Sequence, residues 1–322
     1  MKSTLTSFIL LLFVTFLSAQ PAATSATIVE SSLQQKEQLQ ENSLVKNLPF
    51  KNIGPSIMSG RVVDFAVNPN NPTEFYVGYA SGGVWYTDNN GTTFTPVMDN
   101  TATQNVGSLA ADWNSGTLWV GTGEVNASRS SYAGIGLLKT TDGGKSWQNM
   151  GLTDSHHISK IIINPANPNE VVVAAVGHLY STNDERGVYK TTDGGATWTK
   201  TLFVDDQSGI IEMDAAPGNF DLMYASSWDK DRKAWNFRGS GSGSAIYKST
   251  DGGSTWQKVS TPNSGFPTGD GVGRIGLAVY DANTVYAIHD NQARRDAEES
   301  NDASEGLSKE SFKNMTAAQF LA

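Results

Sequence analysis

Between Arg61 and Asp290 the apolar residues fall into short runs, and each run is closed by Gly, Asn, Asp or Pro. Runs of this length, rich in Val, Ile, Tyr, Trp and Thr, predict strands, and the breakers between them predict turns. The first unit divides into RVVDFAV, EFYVGY, GVWYT and FTPV, the third into HISKIII, EVVVAAV, GVYKTT and WTKTLF. The second and fourth units carry TLWVGT and DLMYASS as their second strands, and VGRIGLAVY with TVYAIHD opens a fifth. The first strand of such a unit would be the innermost and usually the most apolar. Four strands recurring roughly every 50 residues predict propeller blades. The fold class is therefore all-β: a β-propeller of four-stranded blades, incomplete, with four blades and the start of a fifth.

A turn repeats in phase with the strands. LKTTDGGKSW, YKTTDGGATW and YKSTDGGSTW share [S/T]-T-D-G-G-x-[S/T]-W, and TDNNGTTF is a degenerate fourth copy. The Asp positions are Asn89, Asp142, Asp193 and Asp251; the aromatic positions are Phe94, Trp147, Trp198 and Trp256. A second repeat, NPNNPTE from Asn68, returns two periods later as NPANPNE from Asn164. The Asp accepts backbone N–H bonds inside the turn and Gly permits φ > 0. The Trp is expected to pack back over its own blade as an apolar anchor. These turns read as hairpin staples joining strands three and four, not as a catalytic site, because they stand apart on the outer rim.

Composition narrows the partners. Of 322 residues 38% are hydrophobic, enough for a sizeable core. The net charge is -9 and no Lys/Arg cluster occurs, so nucleic acid and anionic membrane surfaces are poor partners. With no cysteine there is neither a disulfide nor a thiolate metal site. Lys2, the apolar run Phe8 to Leu17 and the small pair Ser18–Ala19 predict a signal peptide over 1–19, too short to span a bilayer and without a lipid-anchor cysteine. Export to the periplasm or the medium is expected, with no membrane insertion after cleavage. Residues 20–47 read as a polar linker or frayed helix, 48–289 as the propeller, and 290–322 as a charged insertion with a helical end. Blade five then lacks its outer strands, which leaves an open edge; this predicts that the chain is the N-terminal part of a longer propeller.

The repeated turn resembles the Asp-box, or bacterial neuraminidase repeat, S-x-D-x-G-x-T-W. The stretch GPSIMSGRVVDFAVNPNNPTEFYVGYASGGVWYTDNNGTTF resembles a secreted bacterial family of sortilin-like (Vps10) propellers, often labelled glycosyl hydrolase. The resemblance runs from about Phe50 to His289 and implies the propeller fold; it is shared by sialidases, receptors and xyloglucanase-type hydrolases, so it leaves activity open. Sialidases use an arginine triad, and no ordered sialidase signature surrounds Arg61, Arg129, Arg232, Arg238 or Arg274. In the xyloglucanase pattern an Asp precedes Gly-Gly in the first blade, where this chain has Ala80. Glycoside hydrolysis normally needs two carboxylates; Glu124, Asp229 and Asp290 are the catalytic candidates should the chain be a hydrolase.

Loop lengths favour one face for binding. The one–two and three–four connections are tight, whereas the two–three loops, Gly123 to Gly134, Gly177 to Gly187 and Ser227 to Ser244, are long, polar and aromatic. At the start of the innermost strands Arg61, His157 and Arg274 share a register with Gly107 and Gly209, predicting a ring at the channel mouth with Glu124 and Asp229 facing it. Candidate ligand-binding residues are Arg61, Glu124, Asn126, Arg129, His157, Trp228, Asp229 and Arg274; Trp228 and Trp235 read either as a stacking clamp or as anchors of their loop. His156 and His157 are adjacent and point oppositely in a strand, so they are not expected to share a metal. No D-x-D-x-D-G calcium pattern occurs, and no metal or cofactor is expected. The chain is expected to bind an extracellular protein, peptide or glycan on the face opposite the Asp-boxes. Glycoside hydrolysis at the channel mouth is the alternative, and a propeller that gates substrates to a peptidase is a third.

Overall fold

A computed structural model describes residues 22–48, 60–293, 315–316 and 319. The expected signal peptide, residues 49–59 and most of the charged C-terminal stretch lie outside them. Four antiparallel four-stranded sheets follow one another along the chain. The first contains β1 (Val62–Val67), β2 (Phe75–Tyr79), β3 (Gly83–Thr87) and β4 (Thr95–Pro96). The second contains β5 (Val106–Asp112), β6 (Thr117–Thr122), β7 (Leu137–Thr140) and β8 (Gln148–Asn149). The third contains β9 (Ile158–Ile163), β10 (Val171–Ala175), β11 (Gly187–Thr191) and β12 (Thr199–Leu202). In the fourth, β13 (Ser208–Ala216) and β14 (Asn219–Asp229) are separated from β17 (Ile246–Ser249) and β18 (Gln257–Lys258) by a small hairpin, β15 (Asp231–Arg232) and β16 (Phe237–Arg238). A two-stranded sheet, β19 (Val272–Val279) with β20 (Val285–Asn291), starts the fifth. This all-β propeller architecture is the one the repeats predict; the β15–β16 hairpin inside the long fourth-blade loop is not.

Successive sheets stack face to face, which explains why β10 shows no polar alternation. All five of its residues are buried, because neighbouring blades cover both of its faces. One inter-blade core joins Trp119 and Leu137 to Val171, Val173 and Tyr189. The next joins Val172, Ala174 and Val188 to Ile210, Met213 and Met223. Polar groups tie the inner strands together. Asp64 accepts from Leu109 N at 2.9 Å and from Ser108 Oγ at 3.0 Å, while Ser159 Oγ donates to Ile210 O at 2.7 Å. Ser226 Oγ donates to Ile275 O at 2.8 Å. At the two ends of the array the pattern changes: β1 exposes Phe65 and Val67, and β20 exposes Tyr286 and Ile288.

Each TDGG turn is a closed hydrogen-bond network. Asp142 Oδ1 accepts from Thr140 Oγ1 at 2.8 Å and Ser146 N at 2.9 Å, and Oδ2 accepts from Ser146 Oγ at 2.6 Å. Asp193 and Asp251 repeat the arrangement. In the degenerate copy the polarity reverses at one contact: Asn89 Nδ2 donates to Thr93 Oγ1 at 2.8 Å. The turns dock on the one–two turns of their own blades, with Gly194 N donating to Asn169 O at 2.9 Å and Gly252 N to Asp221 O at 3.0 Å. The tryptophans do not serve their own blade alone, as the sequence reading has it. Trp147 Nε1 donates to Val97 O at 3.0 Å, Trp198 Nε1 to Met150 O at 2.7 Å, and Trp256 Nε1 to Thr201 Oγ1 at 3.2 Å, each on the preceding blade. The indole is long enough to cross the groove between blades, so the staple is also an inter-blade strap.

The hydroxyl of Ser146 holds the Asp142 carboxyl down at about 2, and that of Thr255 does the same for Asp251. Asp193 is lowered further, chiefly by Thr197. A carboxyl lowered in the folded state contributes stability above its unfolded pKa, near 4, and loses it as pH falls towards 2. The stability of Asp142→Asn should therefore depend less on pH between about 4 and 2 than that of the parent, while the variant still folds, as the Asn89 turn does. Acid titrations followed by tryptophan fluorescence check this; identical pH profiles would refute it.

Residues 26–41, read from sequence as linker or frayed helix, form helix α1 (Ala26–Glu41), with Ser25 as N-cap accepting from Ile28 N at 3.4 Å. It buries none of its residues. It lies along the second blade, where Glu30 accepts from Thr153 Oγ1 at 3.3 Å.

Candidate functional site

The two–three loop of the second blade is pinned at its base. Thr122 Oγ1 donates to Gly136 O at 2.6 Å and accepts from Ile135 N at 2.7 Å. Gly123, at φ 87, lets this loop run against the carbonyl of His156, which also accepts from Gly134 N at 2.7 Å. The next residue, Glu124, is buried with 1% of its surface exposed. Its carboxylate accepts from Ser131 Oγ and from Asn126 N at 3.3 Å, and it pairs with Arg61 at 3.1 Å. The Arg61 side chain remains 51% exposed, so the pair presents a solvated guanidinium anchored on a buried carboxylate.

Arg274, from β19, joins the same loop. Its Nη1 donates to Asn126 Oδ1 at 2.6 Å, and its guanidinium lies 5.7 Å from the Trp228 ring. Burial lowers the Arg274 pKa from its ordinary value, against the opposing pull of Glu212 and Glu124. The floor below is apolar, built from Val125, Ala127, Val176, Leu179, Ile211 and Trp228. Blades one, two and five thus bring Arg61, Glu124, Asn126 and Arg274 together, although they are far apart in sequence.

The other candidate residues are held in different ways. Asp229 ends β14, and the β15–β16 hairpin returns Arg238 to pair with it at 2.8 Å. Trp228 is no surface clamp; it is 5% exposed and donates to Gly239 O at 2.8 Å, whereas Trp235 is 80% exposed. Asp290 is exposed on β20 and accepts from Gln292 Nε2 at 2.6 Å. His157 is 3% exposed and neutral; burial, then Lys230 and His156, push its pKa down to about 3. Arg129 lines a separate cavity of about 420 Å³ with Tyr132, His156, His157, His178 and Tyr180. There the His156 ring stacks on His178, centroids 3.7 Å apart, rather than sharing a ligand with His157.

Two buried cations have no counterpart in the sequence reading. Lys230 is 2% exposed and donates to His178 O at 3.4 Å; burial, then Arg186, push its pKa down to about 7. Arg186 is wholly buried and donates to Gln207 O, to Asn183 O at 2.9 Å and to Asn183 Oδ1 at 2.8 Å. No repeat or spacing marks either residue, because both sit in loops of irregular length. A larger groove, about 560 Å³, lies on the opposite side beside the Asp142 turn, lined by Glu74, Tyr76, Tyr86, Trp113 and Asp112. The sequence reading assigns only tight turns to that side.

Residues 136–316 match the model of the family described as Sortilin, neurotensin receptor 3. This chain belongs to the Sortilin-Vps10 family. The matched stretch of the Sortilin-Vps10 chain contains His157, Trp228, Asp229 and Arg274, while Arg61, Glu124, Asn126 and Arg129 precede it. No curated protein matches the chain. Among solved structures it is similar to a GH74 enzyme of Niastella koreensis, with 21% identity and a TM-score of 0.51 over 70% of this chain and 35% of that one. A GH74 xyloglucanase of Xanthomonas campestris has 18% identity and a TM-score of 0.45 over 67% of this chain and 33% of that one. YCF48 from Cyanidioschyzon merolae has 13% identity and a TM-score of 0.34 over 74% of this chain and 95% of that one. The Sortilin-Vps10 chain spans about a third of the length of these GH74 structures. At such identity the likeness is one of fold.

Proposed function

We propose that this chain is an exported propeller module that binds an extracellular protein or peptide through the mouth formed by Arg61, Glu124, Asn126 and Arg274, on the face opposite the TDGG hairpins, which we read as Asp-boxes. The observation that carries this reading is the convergence of two arginines from blades one and five on one loop of blade two. A guanidinium held at its base by a carboxylate or amide keeps its remaining N–H donors in a fixed fork, suited to a carboxylate on a ligand. The name of the family, that of a receptor, agrees with binding as its role.

Hydrolysis is less well supported. Each candidate carboxylate is already engaged: Glu124 by Arg61 and Ser131, Asp229 by Arg238, and Asp290 by Gln292. Biolayer interferometry with a peptide library carrying free or amidated C-termini, alongside a glycan panel, tests the proposal. Free carboxylates should be preferred, and Arg61→Ala and Arg274→Ala should each weaken binding about tenfold or more, the loss of one charge-assisted hydrogen bond. Glycan hydrolysis by the parent, abolished in Glu124→Ala, would replace the reading with the hydrolase one. Intact-mass analysis of the exported product should show cleavage near Ala19.

A further inference from the structure

We infer that Asp154, His156 and His178 form a site for a divalent transition metal of the zinc class, opening on the cavity lined by Arg129, Tyr132 and Tyr180. Their ligand atoms, two imidazole nitrogens and a carboxylate oxygen, all lie within 4.8 Å of one another. Ligands of a tetrahedral Zn²⁺ site stand about 3.3 Å apart. The edge between His178 Nε2 and Asp154 Oδ1 already measures 3.2 Å. Imidazole with carboxylate suits zinc-like ions rather than Ca²⁺ or Mg²⁺, which take oxygen ligands. Three protein ligands leave a position for water or a ligand group.

The surroundings are those of ligands held in place. His178 Nδ1 lies 2.8 Å from Ser181 Oγ, a hydroxyl able to accept from Nδ1–H once Nε2 exchanges its contact with Asp154 for a metal. Asn183 Nδ2 donates to Asp154 O at 2.8 Å and to Asp154 Oδ2 at 3.4 Å, so the far side of the carboxylate is held while Oδ1 faces the histidine. His156 has φ 58 and ψ -34, the strained centre of a γ-turn closed by His157 N donating to Ser155 O at 2.6 Å. The Gly134 N–H on its carbonyl holds this backbone, and the ring lies over His178 with 21° between the planes, so it tilts out of the stack when both rings bind one metal. A further polar group lines the same cavity: His157, 3% exposed, whose Nδ1 has no hydrogen-bond partner. The sequence reading expected no metal because it paired His156 with His157; the partner is His178, supplied by the two–three loop of the third blade.

The test uses the whole chain after chelator treatment, with Zn²⁺ alone in isothermal titration calorimetry and Co²⁺ as a spectroscopic probe. One equivalent of Zn²⁺ should bind. Ser181→Ala, which removes the hydroxyl that holds the His178 ring, should weaken it about 10- to 100-fold. His156→Asn, which removes the imidazole and keeps a polar side chain, and Asp154→Asn should weaken it more. Near-UV circular dichroism reports whether these variants keep the fold. The parent's Co²⁺ adduct gives a reading that needs no variant: paramagnetically shifted ring protons from two of the four histidines. Absence of binding, unchanged affinity in folded Asp154→Asn and His156→Asn, or shifts from fewer than two histidines would each overturn the site. None of these outcomes bears on the Arg61–Arg274 mouth, which uses different side chains.

Discussion

Gly209→Ala is expected to cripple the packing of the fourth blade on the third. A methyl group there would overlap the carbonyl oxygen and carbon of Val176, backbone atoms that cannot swing aside. Gly209 pairs with Trp228 across β13 and β14, so relief by moving the strand would displace the floor of the channel mouth as well. Overpacking against side chains costs about 1–3 kcal/mol, and here the obstacle is main chain, so a loss of about 3 kcal/mol or more is expected. Gly107→Ala should behave alike, since its methyl would overlap the carbonyl oxygens of Ile158 and Gly123. Gly218→Ala is the control: at φ 73 its methyl meets nothing within 4 Å, so only backbone strain of about 1 kcal/mol remains. Urea unfolding of the three variants decides it; equal midpoints for Gly209→Ala and Gly218→Ala would show that the blades do not approach as described.

Trp198→Ala should have the next largest effect. The indole donates to Met150 O at 2.7 Å and meets Trp119 edge-on, centroids 6.1 Å apart, within the core shared by blades two and three. Because Trp198 is only half-buried, its truncation belongs at the low end of the range for large-to-small changes, about 3 kcal/mol. Trp198→Phe keeps the ring and loses the hydrogen bond, at about 1 kcal/mol. The first blade already lives with this compromise: Phe94 packs edge-on against Phe75 of its own blade, and no earlier blade among the described residues offers it a carbonyl. If the Trp served its own hairpin alone, Trp198→Phe would cost almost nothing, and the boundary between the second and third blades would keep its hydrogen-exchange protection in Trp198→Ala.

Most of the architecture was legible because blades are local objects. Strands that pair with their sequence neighbours need only short runs and the right turn residues, and both recur at a fixed spacing; hence β2, β6 and β10 fall where the apolar runs lie. The long two–three loops were legible as loops but not in detail. Nothing in the stretch from Ser227 to Ser244 announces that β15 and β16 pair, or that Arg238 turns back onto Asp229. Of the residues expected at the channel mouth, the structure gives the positions and contacts. Arg61 and Arg274 meet the same loop, at Glu124 and Asn126, whereas His157 and Trp228 are buried.

By itself the sequence determined the blade: its four strands, its hairpin turn with Asp, Gly and Trp, and which side carries the long loops. These are set by contacts within about 50 residues, where chain connectivity keeps the partners close. Only the tertiary structure decided what lies between blades: that each Trp straps its blade to the one before, that Gly107 and Gly209 are glycines because a neighbouring backbone passes over them, and that His178 comes to rest on His156 beside Asp154. Such contacts depend on the stacking of whole sheets and on loops of unequal length, and no periodic feature of the chain records either.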